Sequence, residues 1–207
     1  MRSLDLTAVL LAGLVVATGC GESAAERAAA AAAEEAAQAK VQAAVEAKRL
    51  ASLWTYNDVP SGNGRERHAS IFSTLSVETD GRMPRPVRLV FRDRWGWGRS
   101  SYLVLEAGDF NCYKGCTVAV SVDDGQPTKM AAQRPATDEA IALFINDWEA
   151  LWRSIEGAKQ LSIEFPVKGR GARTATFEVG GLNRSRMRGW DAESSSRGAT
   201  QPAAKVP

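Results

Sequence analysis

The sequence predicts an α+β fold, a mostly antiparallel β-sheet or sandwich with one packed amphipathic helix, preceded by a long alanine-rich helix. Three observations predict it. Alanine dominates residues 23–53. From about Trp54 onward, short runs alternate apolar and polar residues between glycine-bearing turns. One later stretch repeats apolar residues at spacings of three and four. With 207 residues and 44% hydrophobic composition, the chain holds one core plus flanking segments.

Residues 23–53 also carry Glu26, Glu34, Glu35, Lys40, Glu46, Lys48 and Arg49. Alanine is the strongest helix former, and straight-chain charged residues cost little in a helix. A helix of about 30 residues rises roughly 45 Å, which reads as a spacer. A competing reading seats Ala37, Val41 and Ala44 in a self-association seam, without most of the Leu and Ile of a stable zipper.

The globular part is placed at residues 54–182. Residues 70–78 and 86–92 read as strands; in the second, Val87, Leu89 and Phe91 alternate with Arg88, Val90 and Arg92, so it is half buried. Residues 102–106, 109–112 and 116–122 read as further strands, with Ala107-Gly108 and Asp124-Gly125 as turns. The clearest helix starts after Thr137 as its cap, with Asp138 and Glu139 favourably placed against the helix dipole. Ile141, Phe144, Ile145, Trp148, Leu151, Trp152 and Ile155 then fall on one stripe, to be packed on the sheet. After Gly157, Leu161, Ile163 and Phe165 face Ala175, Phe177 and Val179 across Gly169-Arg170-Gly171, a hairpin. Residues 183–207 are rich in Arg, Ser, Gly and Pro and read as a disordered tail, with order only around Trp190.

The first residues carry a different signal. Arg2 precedes an apolar stretch over 6–16, and Ala17-Thr18-Gly19 supply small residues before Cys20. This is a signal-peptide pattern over 1–19, too short to span a bilayer core. Residues 16–20, Val-Ala-Thr-Gly-Cys, resemble the lipobox of bacterial lipoproteins, departing from it at Ala17, where the family prefers Leu, Val or Ile. The resemblance implies cleavage before Cys20, a diacylglycerol on its thiol and acylation of the new N-terminus. Gly21 stands where an aspartate in Gram-negative members favours the inner membrane, which implies the outer membrane facing the periplasm. Residues 20–53 become a lipid-anchored spacer. The globular part, with Phe110 to Cys116, Asp123-Asp124-Gly125 and the later helix, is similar in outline to uncharacterised small envelope lipoprotein domains.

Cys112 and Cys116 flank Tyr113-Lys114-Gly115, a connection able to close a hairpin with the two thiols facing each other. In an oxidising compartment this favours a disulfide. A metal wants four ligands, and the spacing is not that of a redox pair. Trp95-Gly96-Trp97-Gly98 joins two strands, with Arg94 and Arg99 beside it and Arg88 and Arg92 on the preceding strand. Exposed indoles and guanidinium groups there suit an anionic glycan or an acidic protein surface. The plainer reading, preferred on sequence, returns one or both tryptophans to the core and leaves the arginines to solubilise a strand.

Twenty-six basic against 24 acidic residues give a net charge of +2, no argument for a polyanion partner, and an exported chain does not meet cytoplasmic nucleic acid. His68, the only histidine, could serve Ser70 or Ser73 but lies in a polar run that solvates it. Asp109 and Glu164 act as acids only if one cleft gathers them. Gly169-Arg170-Gly171 lacks the lysine and helix of a phosphate loop, and Asp123-Asp124-Gly125 lacks the spaced oxygens of a calcium loop. No cofactor and no metal is expected. The expectation is a non-catalytic binding or assembly module of the envelope. The alternatives are a spacer that self-associates through its helix and a hydrolase of envelope polymers or proteins.

Overall fold

The computed structural model describes residues 23–135 and 141–191. Cys20 and the signal segment, Thr137, Asp138 and Glu139, and residues 192–207 lie outside the described residues.

Helix α1 spans Ala24–Ser52 and buries no residue. Its start is fixed by a reciprocal cap: Glu26 N–H donates to Ser23 Oγ (3.2 Å), and Ser23 N–H donates to Glu26 Oε2 (2.7 Å). The chain divides after Gln42 into two units; the described part of the first is helix alone, and the second, from Ala43, contains the sheet.

Among the described residues, nine strands form one antiparallel sheet: β1 (Trp54–Ser61), β2 (Gly64–Phe72), β3 (Arg88–Arg94), β4 (Gly98–Val104), β5 (Cys116–Val122), β6 (Thr128–Gln133), β7 (Ala142–Ile145), β8 (Gln160–Val167) and β9 (Gly171–Glu178). Their order is β1-β2-β3-β4-β7-β6-β5-β8-β9. The first four strands meander. The next three enter in reverse, so that β7 pairs with β4, and β8 joins on the far side of β5.

Adjacent strands rotate by about 20–25°, so nine of them coil the sheet over its own core. The connection from β2 to β3 accordingly reaches the edge strand β9. Just beyond β2, Thr74 N–H donates to Thr176 O of the edge strand β9 (2.8 Å), and Arg173 of β9 donates from Nε to Glu78 O (3.0 Å). One cluster fills the concave side, with Leu89, Phe91, Leu103, Leu143, Leu161, Ile163 and Phe177 all fully buried.

The seven-residue stripe is not one helix. Residues 142–145 are a strand whose Leu143 and Ile145 point inward, and α2 (Trp148–Ser154) begins only after Asp147, whose Oδ1 accepts Ala150 N–H (2.9 Å). Strand and helix follow each other here with their apolar residues on the same core, so the combined spacing mimics a longer helix. Residues 109–112 are not a strand either. Phe110 makes a single bridge to Val167, and the 70–78 strand ends at Phe72. The disulfide Cys112–Cys116 is present, with Cα atoms 5.1 Å apart, but it closes a loop ahead of β5, which pairs with β6 and β8 rather than with a strand ending at Cys112.

The core also continues past Leu182. Two 3₁₀ turns, Val179–Gly181 and Arg184–Arg186, carry the chain back over the sheet, where Met187 and Trp190 are buried. Trp190 closes an aromatic group with Phe91, Trp148 and Trp152, at centroid distances of 5.7, 5.0 and 4.7 Å. The turn at Gly181 lies so close to the end of α1 that a Cβ there would stand 2.2 Å from the Leu50 carbonyl carbon.

Candidate functional site

Register brings the tips of the β1–β2 and β3–β4 hairpins together. Glu66 pairs with Arg94, and Trp95 N–H donates to Arg65 O (3.1 Å). The β3–β4 turn is closed by Trp97 N–H donating to Arg94 O (3.0 Å), with Gly96 and Gly98 in the left-handed conformation at φ 76° and 78°. That geometry turns both indoles outward. Trp95 is 63% and Trp97 71% exposed, so neither returns to the core. Trp95 rests on Gly64, where a Cβ would stand 2.5 Å from its Cγ.

The outer face of β2, β3, β4 and β7 continues from this tip as a row of guanidinium groups over rings. Arg94 lies 5.2 Å from the Trp97 centroid and holds Glu66 Oε2 at 3.0 Å, while Glu66 Oε1 meets His68 Nε2 at 2.6 Å. Arg92 lies 5.3 Å from the Tyr102 ring and 5.9 Å from Phe144, two rings themselves 4.9 Å apart. Its Nε, and Ser100 Oγ on the residue opposite it in register, are buried without a hydrogen-bond partner among the described residues. Burial pushes the Tyr102 phenol up, against the opposing pull of Arg92. Arg88 closes the row, 6.0 Å from the Phe72 ring.

Five of the six candidate partner-binding residues therefore share one surface: Trp95, Trp97, Arg94, Arg92 and Arg88. Arg99 does not. It pairs with Asp93 (4.0 Å) on the concave side and lies 5.5 Å from the Trp148 ring. Glu66, His68, Tyr102 and Phe144 join the surface through register alone, which the sequence does not display.

The polar residues weighed as acids, bases or nucleophiles have other partners. His68 bonds Glu66, and the Ser73 hydroxyl donates to Leu75 O and accepts Val87 N–H. Asp109 is paired with Arg134 (2.6 Å) at the level of Lys168, beyond Glu164 along the chain. Asp123 works within the turn after β5, where its Oδ1 accepts the Lys159 and Gln160 N–H groups. Among the described residues no group of three His, Cys, Asp or Glu side chains is placed to hold a metal, and no helix is long and apolar enough to cross a membrane.

Comparison of the chain with protein-family models, curated proteins and solved structures returns no match. The surface itself defines a class of chemistry. Flat rings beside fixed guanidinium groups stack on sugar rings or anchor a partner, and they attract anions.

Proposed function

We propose that this protein is a non-catalytic binding or assembly module of the bacterial cell envelope, anchored through lipid on Cys20, and that its Trp95–Trp97 tip engages an anionic envelope glycan. The observation that carries the binding surface is the outward display of two neighbouring indoles beside Arg94. A tryptophan offers roughly 150–250 Å² for burial, and at about 25 cal/mol per Å² each indole left in water forgoes several kcal/mol that a partner recovers. Tryptophan and arginine are also the residues that dominate binding energy at interfaces. The anchor is supported by Cys20 standing after small residues and an apolar stretch, and the spacer by a helix that buries nothing.

The test pairs two variants of the full chain. Intact mass of the membrane fraction should fit cleavage before Cys20 plus acyl chains in the wild type and lose them in Cys20→Ser. Trp95→Ala with Trp97→Ala should keep the melting temperature and lose retention on isolated envelope polysaccharide. Retention equal to wild type removes the tip from the reading, and retention only on an acidic envelope protein moves the partner from glycan to protein. A second reading, helix self-association, draws on Val41 and Val45, which are 64% and 65% exposed on α1. Sedimentation as a monomer over a wide concentration range eliminates it.

A further inference from the structure

On the concave side of the β1–β2 hairpin, a cleft of about 500 Å³ opens between the strand ends and the segment after Asn183. Tyr56 and Asp58 of β1, Arg65 and Arg67 of β2, and Arg186 and Arg188 of the returning segment line it. Arg65 and Arg67 stand two residues apart on one strand, so their side chains leave the same face. The opposite wall is tied in place. Asn183 N–H donates to Tyr56 Oη (2.6 Å), and Arg184 binds Trp152 O (3.0 Å) and Asp191.

Four guanidinium groups thus face one carboxylate. Asp58 is already committed, with Oδ1 2.6 Å from Arg65 Nε and Oδ2 3.5 Å from Arg67 Nε. The hydrogen bond from Arg65, with the charges of both arginines, holds its carboxyl below the usual range. Arg186 lies 4.6 Å from the Tyr56 ring, and among the described residues neither Arg186 nor Arg188 has a carboxylate partner. Like charges gathered in a concavity repel one another and create a positive potential there. Guanidinium forks match phosphate oxygens in pairs. The cleft's volume lies within the range of small-molecule sites, and its lining is polar, so it has room for a hydroxyl-bearing body beyond the phosphate.

We propose that this cleft binds a phosphomonoester carried on a polar body, with the phosphate held by Arg67, Arg186 and Arg188. The proposal does not rest on the Trp95–Trp97 reading, because those indoles do not line the cleft. A soluble sugar phosphate and a lipid headgroup both present this chemistry, and two probes separate these sources.

The full chain carrying Cys20→Ser, in detergent at low salt, is titrated calorimetrically with glucose 6-phosphate, with glucose as the control. Its capture by phosphatidylcholine vesicles is measured with and without phosphatidic acid. Arg186→Glu with Arg188→Glu should weaken phosphate-dependent binding at least tenfold, while Arg153→Glu on α2 should leave it unchanged. Because Arg186 also rests on Tyr56, Arg67→Gln with Arg188→Gln provides a second variant that spares that contact. Glucose 6-phosphate binding lost in these variants supports a soluble source; phosphatidic-acid-dependent capture lost in them supports a headgroup. Binding of neither probe, or binding equal in wild type and folded cleft variants, overturns the proposal.

Discussion

Trp190→Ala tests whether the core reaches beyond Leu182. The indole is 4% exposed and meets Phe91, Trp148 and Trp152 within 5.7 Å, centroid to centroid. Truncating a buried tryptophan to alanine costs about 3–5 kcal/mol, through lost transfer energy and the cavity left behind. Edge-on and tilted ring pairs add about 0.5–1.5 kcal/mol each to what burial gives, so the upper part of that range is expected. For a domain of this size, about 2–4 °C per kcal/mol converts the loss to a fall of about 6–20 °C in melting temperature. Urea unfolding followed by circular dichroism provides the stability, and a calorimetric scan the temperature. Trp190→Phe should recover part of the loss. A chain ending at Leu182 should lose more than Trp190→Ala, because it also gives up Met187 and the bond from Trp152 Nε1 to Asp191 (2.7 Å). A cost below about 1 kcal/mol for Trp190→Ala, the range of surface substitutions, would refute a core completed by this residue.

Glu178 binds Arg49 through both carboxylate oxygens, at 2.9 and 3.0 Å, and that hydrogen bonding holds its pKa below the ordinary glutamate value. A lowered folded-state pKa contributes stability that is present above about pH 4.3 and is lost as pH falls through the folded value. Glu178→Gln should therefore be less stable by under about 1 kcal/mol near neutrality, since the pair is exposed, and should flatten the acid limb of the stability profile. Identical acid limbs in urea titrations from pH 7 to about pH 3 would count against the pairing. For the disulfide, Cys112 and Cys116 are only four residues apart, so reduction should cost less than the roughly 3 kcal/mol expected of a 15-residue loop. A larger loss on unfolding with reductant would show that the bridge holds more than its own loop.

What could be read in the residues depended on whether the neighbour that fixes them was local. The β8–β9 hairpin was legible: Leu161, Ile163 and Phe165 alternate, and Gly169 and Gly171 take the left-handed conformation that the turn demands. The stripe from Ile141 to Ile155 misled because strand β7 and helix α2 bury the same side of consecutive segments. The local clue was Asn146-Asp147, a break with capping chemistry inside the apparent helix. Strand β1 leaves no pattern in the sequence because only Trp54 in it is buried. It is an edge strand whose Asn57, Asp58 and Pro60 suit an unpaired rim but carry no alternation. At the site, the even spacing of Arg88, Arg92 and Arg94 along one strand places them on one face. Arg99 went to the other face because its position opposite Asp93 is a matter of register. The clefted arginines were missed because half of them lie in a segment whose composition resembles a tail.

The aromatic closure at Trp190 also has a consequence for the order in which the domain comes into being. Phe91, Trp148 and Trp152 are made well before the residue that covers them, and the central pairings of β4 with β7 and β5 with β8 join segments distant in the chain. Contacts of such long range are slow to form. A nascent chain stopped anywhere short of Trp190 therefore keeps its core face open and its last ring pairs unmade. Completion of the core is thereby tied to the last ring pairs that Trp190 makes with Phe91, Trp148 and Trp152.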